Sequence, residues 1–267
     1  MTAPSRAGGA APALPLQSPL AIRILGGVVL FGLWEIGVRL FAAPFVARPS
    51  GIIAALPSVL VDPDYWSASA STLSAVLIGL AIALVLGTLI GLMLGRIKGA
   101  DRALSFWVSS FYAMPMIAAL PLLTVWFGFD SGARLATIVF AAIFSIIINT
   151  ADGARSVPRE YVEVARSFRS ARLRMLIDIV MPASLPYFLA GLRLAAGRAL
   201  IGAVVAEFFT AIGGLGYYIL YNSRIFKHDE AFVGVLLLAA FGVGCEVLVG
   251  WGTARFLPWY RRDEKTS

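Results

Sequence analysis

The chain has 267 residues, 59% of them apolar and only 14% charged, with a formal net charge of +7. An ordinary soluble domain carries roughly 25% charged residues, so this composition excludes one and requires several spans of about 20 apolar residues. A single cysteine, Cys245, and a single histidine, His228, exclude an internal disulfide and leave no Ser/His/Asp or Cys/His catalytic set to assemble.

The first 19 residues are rich in Pro, Ala and Gly and lack an apolar face, which predicts a disordered cytoplasmic tail. Six apolar spans follow, near residues 20–42, 69–95, 110–128, 135–150, 185–208 and 231–256, and the last residues, 261–267, form a second polar tail. The first span carries Glu35 and Arg39 and exceeds a secretory h-region, so it reads as an uncleaved helix although residues 42–47 could pass for a cleavage region. Residues 48–64 are interrupted by Pro and Gly and read as an extracytoplasmic connection, with Tyr65 and Trp66 at the interface.

The second span places Gly87, Gly91 and Gly95 on one helical face, spacing that lets two helices approach closely. The third contains Met114, Pro115, Met116 and Pro121, and its prolines free carbonyls that must face protein or a pathway rather than lipid. Between spans four and five lies a polar, arginine-rich segment, within residues 151–184. Here Pro158 suits a first helical turn, and Tyr161, Val164, Ala165 and Phe168 follow at i, i+3, i+4 and i+7 as one apolar stripe, with Glu163, Arg166 and Arg169 on the remaining surface. Such a helix can lie on anionic headgroups or enter a groove on a protein partner. The fifth span holds Arg193, Arg198 and Glu207; a mid-membrane charge costs at least about 2.5–3.5 kcal/mol, so these residues should avoid lipid. Arg193 can snorkel to the nearby cytoplasmic face, while Arg198 and Glu207 either satisfy neighbouring helices or, in the case of Arg198, border a path that favours an anionic solute. Met114, Met116, Arg198 and Glu207 are thus the candidates for a translocation path.

Orientation follows from Lys and Arg. Fifteen fall on the side holding both termini and the arginine-rich segment, and five (Arg39, Arg48, Arg134, Arg224 and Lys227) on the other. That bias places both termini and the segment in the cytoplasm. The expected fold is an all-α membrane protein with six transmembrane helices.

The order Glu163-Val164-Ala165, Arg169, then Ile179, Met181 and Pro182 resembles the EAA loop of ABC importer permeases. There E-A-A, a glycine and I-x-L-P dock on the ATP-hydrolysing subunit. Residues 113–128, Gly202 through Glu207, and the Gly213–Gly216 glycine cluster resemble permeases for sulfonates, taurine and nitrate, and the likeness runs over about residues 20–260. It implies two permease copies, two ATPase subunits, an extracytoplasmic solute-binding protein and alternating access. It assigns Tyr161, Glu163, Val164, Ala165, Phe168, Arg169, Ile179, Met181 and Pro182 to ATPase coupling. Arg169 departs from the pattern: it stands at the glycine position, so the turn is made either with ordinary φ or with strain that partner contacts offset. No Gly-x-x-x-x-Gly-Lys-Ser/Thr occurs, so ATP is expected on partner subunits and no cofactor on this chain. A secondary transporter or channel without an ATPase is the alternative class, and a membrane enzyme or nucleic-acid binder is not expected.

Overall fold

A computed structural model describes residues 19–41 and 46–256; the two predicted tails lie outside these apart from Pro19. The described residues form helices α1 (Pro19–Phe41), α2 (Pro49–Val61), α3 (Pro63–Arg96), α4 (Lys98–Ala113), α5 (Met116–Phe127), α6 (Ser131–Ser156), α7 (Arg159–Ser167) and α8 (Arg172–Met175). A five-residue π segment, Leu176–Val180, leads into α9 (Met181–Thr210), followed by α10 (Leu215–Arg224) and α11 (His228–Phe256). No strand occurs among them. Five helices are long and apolar enough to cross a membrane, six if the bent pair α4–α5 counts as one span.

The third span differs most from expectation. One helix over residues 110–128 was predicted. Instead α4 ends at Ala113, Met114 is extended (φ −67°, ψ 132°), and α5 restarts after Pro115 with its axis turned by 104°. The reason is local: the proline ring disfavours helical backbone in the residue before it and brings no N–H of its own. The connection over 48–64 also differs, because most of it is helical. Pro49 opens α2 at a position where its missing donor is not needed, and Asp62 caps α3 by accepting from the Asp64 N–H at 2.9 Å.

The core is the triangle α3–α6–α9. Ala75, Val76 and Ala83 meet Ile138, Ala142 and Ile146 of α6 and Ala195, Ala199 and Ala203 of α9, all buried. Small residues make this possible. A methyl added at Gly87 would lie 2.9 Å from Ile146, one at Gly91 2.7 Å from Thr150 and 2.8 Å from the Ile147 carbonyl, and one at Gly95 2.5 Å from Ala154. The glycine stripe of the second span therefore meets α6 of the same chain. Close approach of this kind lets van der Waals contact operate where lipid supplies no hydrophobic drive. A second cluster joins Ile52 and Val59 of α2, Tyr65, Leu215 and Ile219 of α10, and Val233 of α11 at the opposite end from the arginine-rich segment. By contrast, α1 is largely exposed along its length.

Candidate coupling surface and translocation path

At the arginine-rich end, α7 is held by its inner face. Val162 packs with Leu92 of α3, Ala154 of α6, Val157 just past the end of α6, and Val180 of the π segment, while Ile179 lies against the same cluster. Ala165 is also buried, at 6% exposure. The predicted stripe therefore divides: Ala165 belongs to the inner face with Val162, whereas Tyr161, Val164 and Phe168 stay open, Phe168 at 83% exposure. At about 100° per residue Ala165 falls about 60° from Val162 and about 40° from Tyr161, at the boundary between the two faces, while Val164 lies on the far side from Val162. Glu163, Met181 and Pro182 are exposed as well.

The turn after α7 settles the alternatives for Arg169. Its φ is +53°, the left-handed region that normally favours glycine. The Ser170 N–H donates to the Ala165 carbonyl at 3.0 Å, the six-to-one bond that closes a helix through a left-handed residue. Arginine thus adopts the glycine conformation, and the turn carries the strain. Nearby, Asp101 of α4 accepts from Arg155 of α6, and Arg155 also meets Asp152 at 2.8 Å, tying α4 to the end of α6.

Three of the four path candidates lie about the α4–α5 break, and Glu207 stands apart from them. Met114 and Met116 are half-buried at the α4–α5 break. Arg198, near the middle of α9, reaches that break. Its guanidinium carbon lies 3.9 Å from the Tyr112 ring centroid, and Nη1 donates to the Tyr112 carbonyl at 3.5 Å. A carbonyl one turn before a helix break has lost its regular partner, and a cation over a ring face is attracted to it. Arg198 also lines a groove of about 750 Å³ between α9 and α11, with Arg193, Gly197, Ile201, Gly242 and Glu246, where Arg193 and Glu246 approach to 3.8 Å. Neither methionine nor Glu207 lines this groove.

Glu207, the fourth path candidate, is fully buried (0% exposure). One carboxylate oxygen accepts from the Thr72 hydroxyl at 2.8 Å and from Arg134 at 3.4 Å, and the other accepts from the Gly216 N–H at 2.8 Å. Thr72 in turn accepts from the Leu215 N–H at 2.7 Å, and Arg134 donates to the Gly213 carbonyl at 3.1 Å and to Ser71 at 3.0 Å. A carboxylate this deep persists only when paired and hydrogen-bonded, and this one is. The sequence offered one signal for the pair: Arg134 opens the fourth span and Glu207 closes the fifth, so both fall at the same end of antiparallel helices. Thr72 carried none.

Beside this network opens a cleft of about 670 Å³ between α3 and α10, lined by Asp64, Ser67, Ser71, Gly213, Tyr217 and Tyr221. Tyr218 donates to Asp62 at 3.0 Å across it; burial and the Asp62 carboxylate push its hydroxyl above the ordinary phenol range, so it remains a donor at neutral pH.

Residues 83–262 match the family model described as binding-protein-dependent transport system inner membrane component. The riboflavin transport system permease protein RibX of Chloroflexus aurantiacus is 33% identical over 84% of this chain and 84% of its own. The putative aliphatic sulfonates transport permease protein SsuC of Escherichia coli is 31% identical over 80% and 82%, and the formylaminopyrimidine transport permease protein ThiX of Halalkalibacterium halodurans 29% over 88% and 94%. Among solved structures, a chain of the MetNI methionine ABC transporter in an inward-facing conformation superposes with a TM-score of 0.60 at 17% identity. The match covers 70% of this chain and 91% of that one, which is a likeness of fold. The chain belongs to the inner-membrane permease family of binding-protein-dependent ABC importers.

Proposed function

We propose that two copies of this chain form the path for a small anionic solute of the sulfonate, taurine or nitrate class. Separate ATPase subunits drive it through α7 and the strained turn, and an extracytoplasmic binding protein delivers the solute. The groove between α9 and α11 carries this reading. Arg193, Arg198 and Glu246 place three ionisable groups along one face, within two helices long and apolar enough to cross a membrane. Charges there are too costly to face lipid, which favours a water-lined space shared with a second copy. Arg198 supplies the net positive charge, since Arg193 has Glu246 beside it. Relatives whose names carry aliphatic sulfonates, nitrate and bicarbonate support an anion, while others are named for riboflavin and formylaminopyrimidine.

ATP is bound by the partner subunits on this account, because Tyr161, Glu163, Val164 and Phe168 present a docking surface rather than a nucleotide site. The test is ATPase stimulation of the reconstituted assembly, with its binding protein, by alkanesulfonates, taurine, nitrate, bicarbonate, riboflavin and formylaminopyrimidine. Stimulation by one anion, lost in Arg198→Gln without loss of assembly, is the expected result. Stimulation by the flavin or the pyrimidine alone, or normal transport by Arg198→Gln, would overturn the anion assignment.

A further inference from the structure

The Glu207 network joins four parts of the chain at one point: Thr72 of α3, Arg134 of α6, Glu207 of α9 and the Gly213–Gly216 segment that begins α10. The approach is as tight as backbone allows. A methyl at Gly214 would overlap the Glu207 carboxylate, and one at Gly216 would lie 2.9 Å from the Val204 carbonyl. Beneath this point, glycine and alanine zip α3 to α6 and α6 to α9, where added methyls at Gly191 and Gly202 would lie 2.8 Å from Asn149 and 3.0 Å from Ala141. Packed interfaces of this kind have little freedom to slide.

The cleft beside the network has one wall on α3, with Asp64, Ser67 and Ser71, and the other on the glycine segment and α10, with Gly213, Tyr217 and Tyr221. Both walls hang from the same carboxylate: α3 through Thr72 to one oxygen, and α10 through the Gly216 N–H to the other. Arg134 bridges them again through Ser71 and the Gly213 carbonyl. Nothing in this arrangement lets one wall move without breaking a charge-assisted bond in a buried site, where such bonds are strongest.

We propose that Glu207 and Arg134 are positioning residues for transport, fixing the α10 wall to the α3–α6–α9 core so that the cleft moves as part of one rigid body when the ATPases close. The mouth on this side then opens and shuts between copies, or at the α4–α5 break, and not within this cleft. The inference rests on the permease role but not on the anion reading.

The test is a spin-label distance across the cleft of one copy, between Ser67→Cys and Tyr221→Cys in a Cys245→Ser background, in an assembly whose second copy carries no label. It is measured in the full assembly without nucleotide and with ATP plus orthovanadate. The wild-type network should give the same narrow distribution in both states. Thr72→Val, which removes one hydroxyl at nearly constant volume, should broaden it. ATP hydrolysis by the assembled complex should then lose about fivefold or more of its dependence on the binding protein, the lower end of ordinary coupling between sites. The double variant Arg134→Met/Glu207→Gln, which leaves no unpaired buried charge, should do the same, and a merely structural role would lower yield without changing either readout. A shift of the wild-type distance on trapping would overturn the proposal, as would Thr72→Val and the double variant both keeping the narrow distribution and the coupling.

Discussion

At the arginine-rich end, α7 leaves Tyr161, Val164 and Phe168 open and turns through a left-handed arginine; at the other end, both oxygens of the buried Glu207 carboxylate have donors within the chain. Both ends cap the same three helices. The first holds exposed apolar area of the kind a partner surface would bury. Left-handed non-glycine backbone occurs at both ends, at Arg169 on one and at Ala211 and Phe226 on the other, so strain does not separate them. The difference lies between an apolar face left open and a buried charge satisfied within the chain.

Glu207→Ala should act most strongly, since it leaves Arg134 buried without its carboxylate, a change worth about 3–5 kcal/mol in a buried pair. Denaturant titration of the purified chain in mixed micelles measures it; a loss below that of an exposed substitution would contradict a satisfied end. Gly91→Leu comes next. Its side chain would enter the Thr150 and Ile147 contacts of α6, and overpacking costs about 1–3 kcal/mol. The same titration and the yield of assembled complex read it, and a wild-type value would mean the seam can separate freely.

Arg169→Gly should move the other way. Releasing a non-glycine residue from φ +53° stabilises the turn by about 1 kcal/mol. Hydrogen exchange at the Ser170 amide should slow accordingly; faster exchange would show that the arginine side chain, not the backbone, holds the turn.

Much of this was legible in the residues. The glycine stripe of α3 announced a close helix contact because only glycine at four-residue spacing leaves a groove that deep, yet the identity of the facing helix needed Ile146, Thr150 and Ala154 in place. The loop helix was readable from its period, but Ala165 was grouped with the wrong face, since alanine fits either side and Val162 alone marked the inner one. The break at Met114–Pro115 was foreshadowed by its prolines, though a 104° turn depends on what α5 packs against. Glu207 was read as a path residue because the cost of a buried charge can be met by water or by partners, and sequence does not say which. Short α2 and α10 escaped notice because Pro49, Gly51 and Gly216 near their starts, and Pro57 inside α2, read as turns from composition alone.

The central claim, that the open face of α7 is where the ATPase docks, is tested most directly by a surface change with almost no effect on the fold. Glu163→Lys and Phe168→Asp together alter two exposed residues, which ordinarily moves stability by no more than about 0.5 kcal/mol. Co-purification of the ATPase subunit with the membrane-inserted variant, measured beside solute uptake, decides the matter. The account predicts normal insertion with loss of both the ATPase and uptake, whereas full ATPase recovery with wild-type uptake would contradict it.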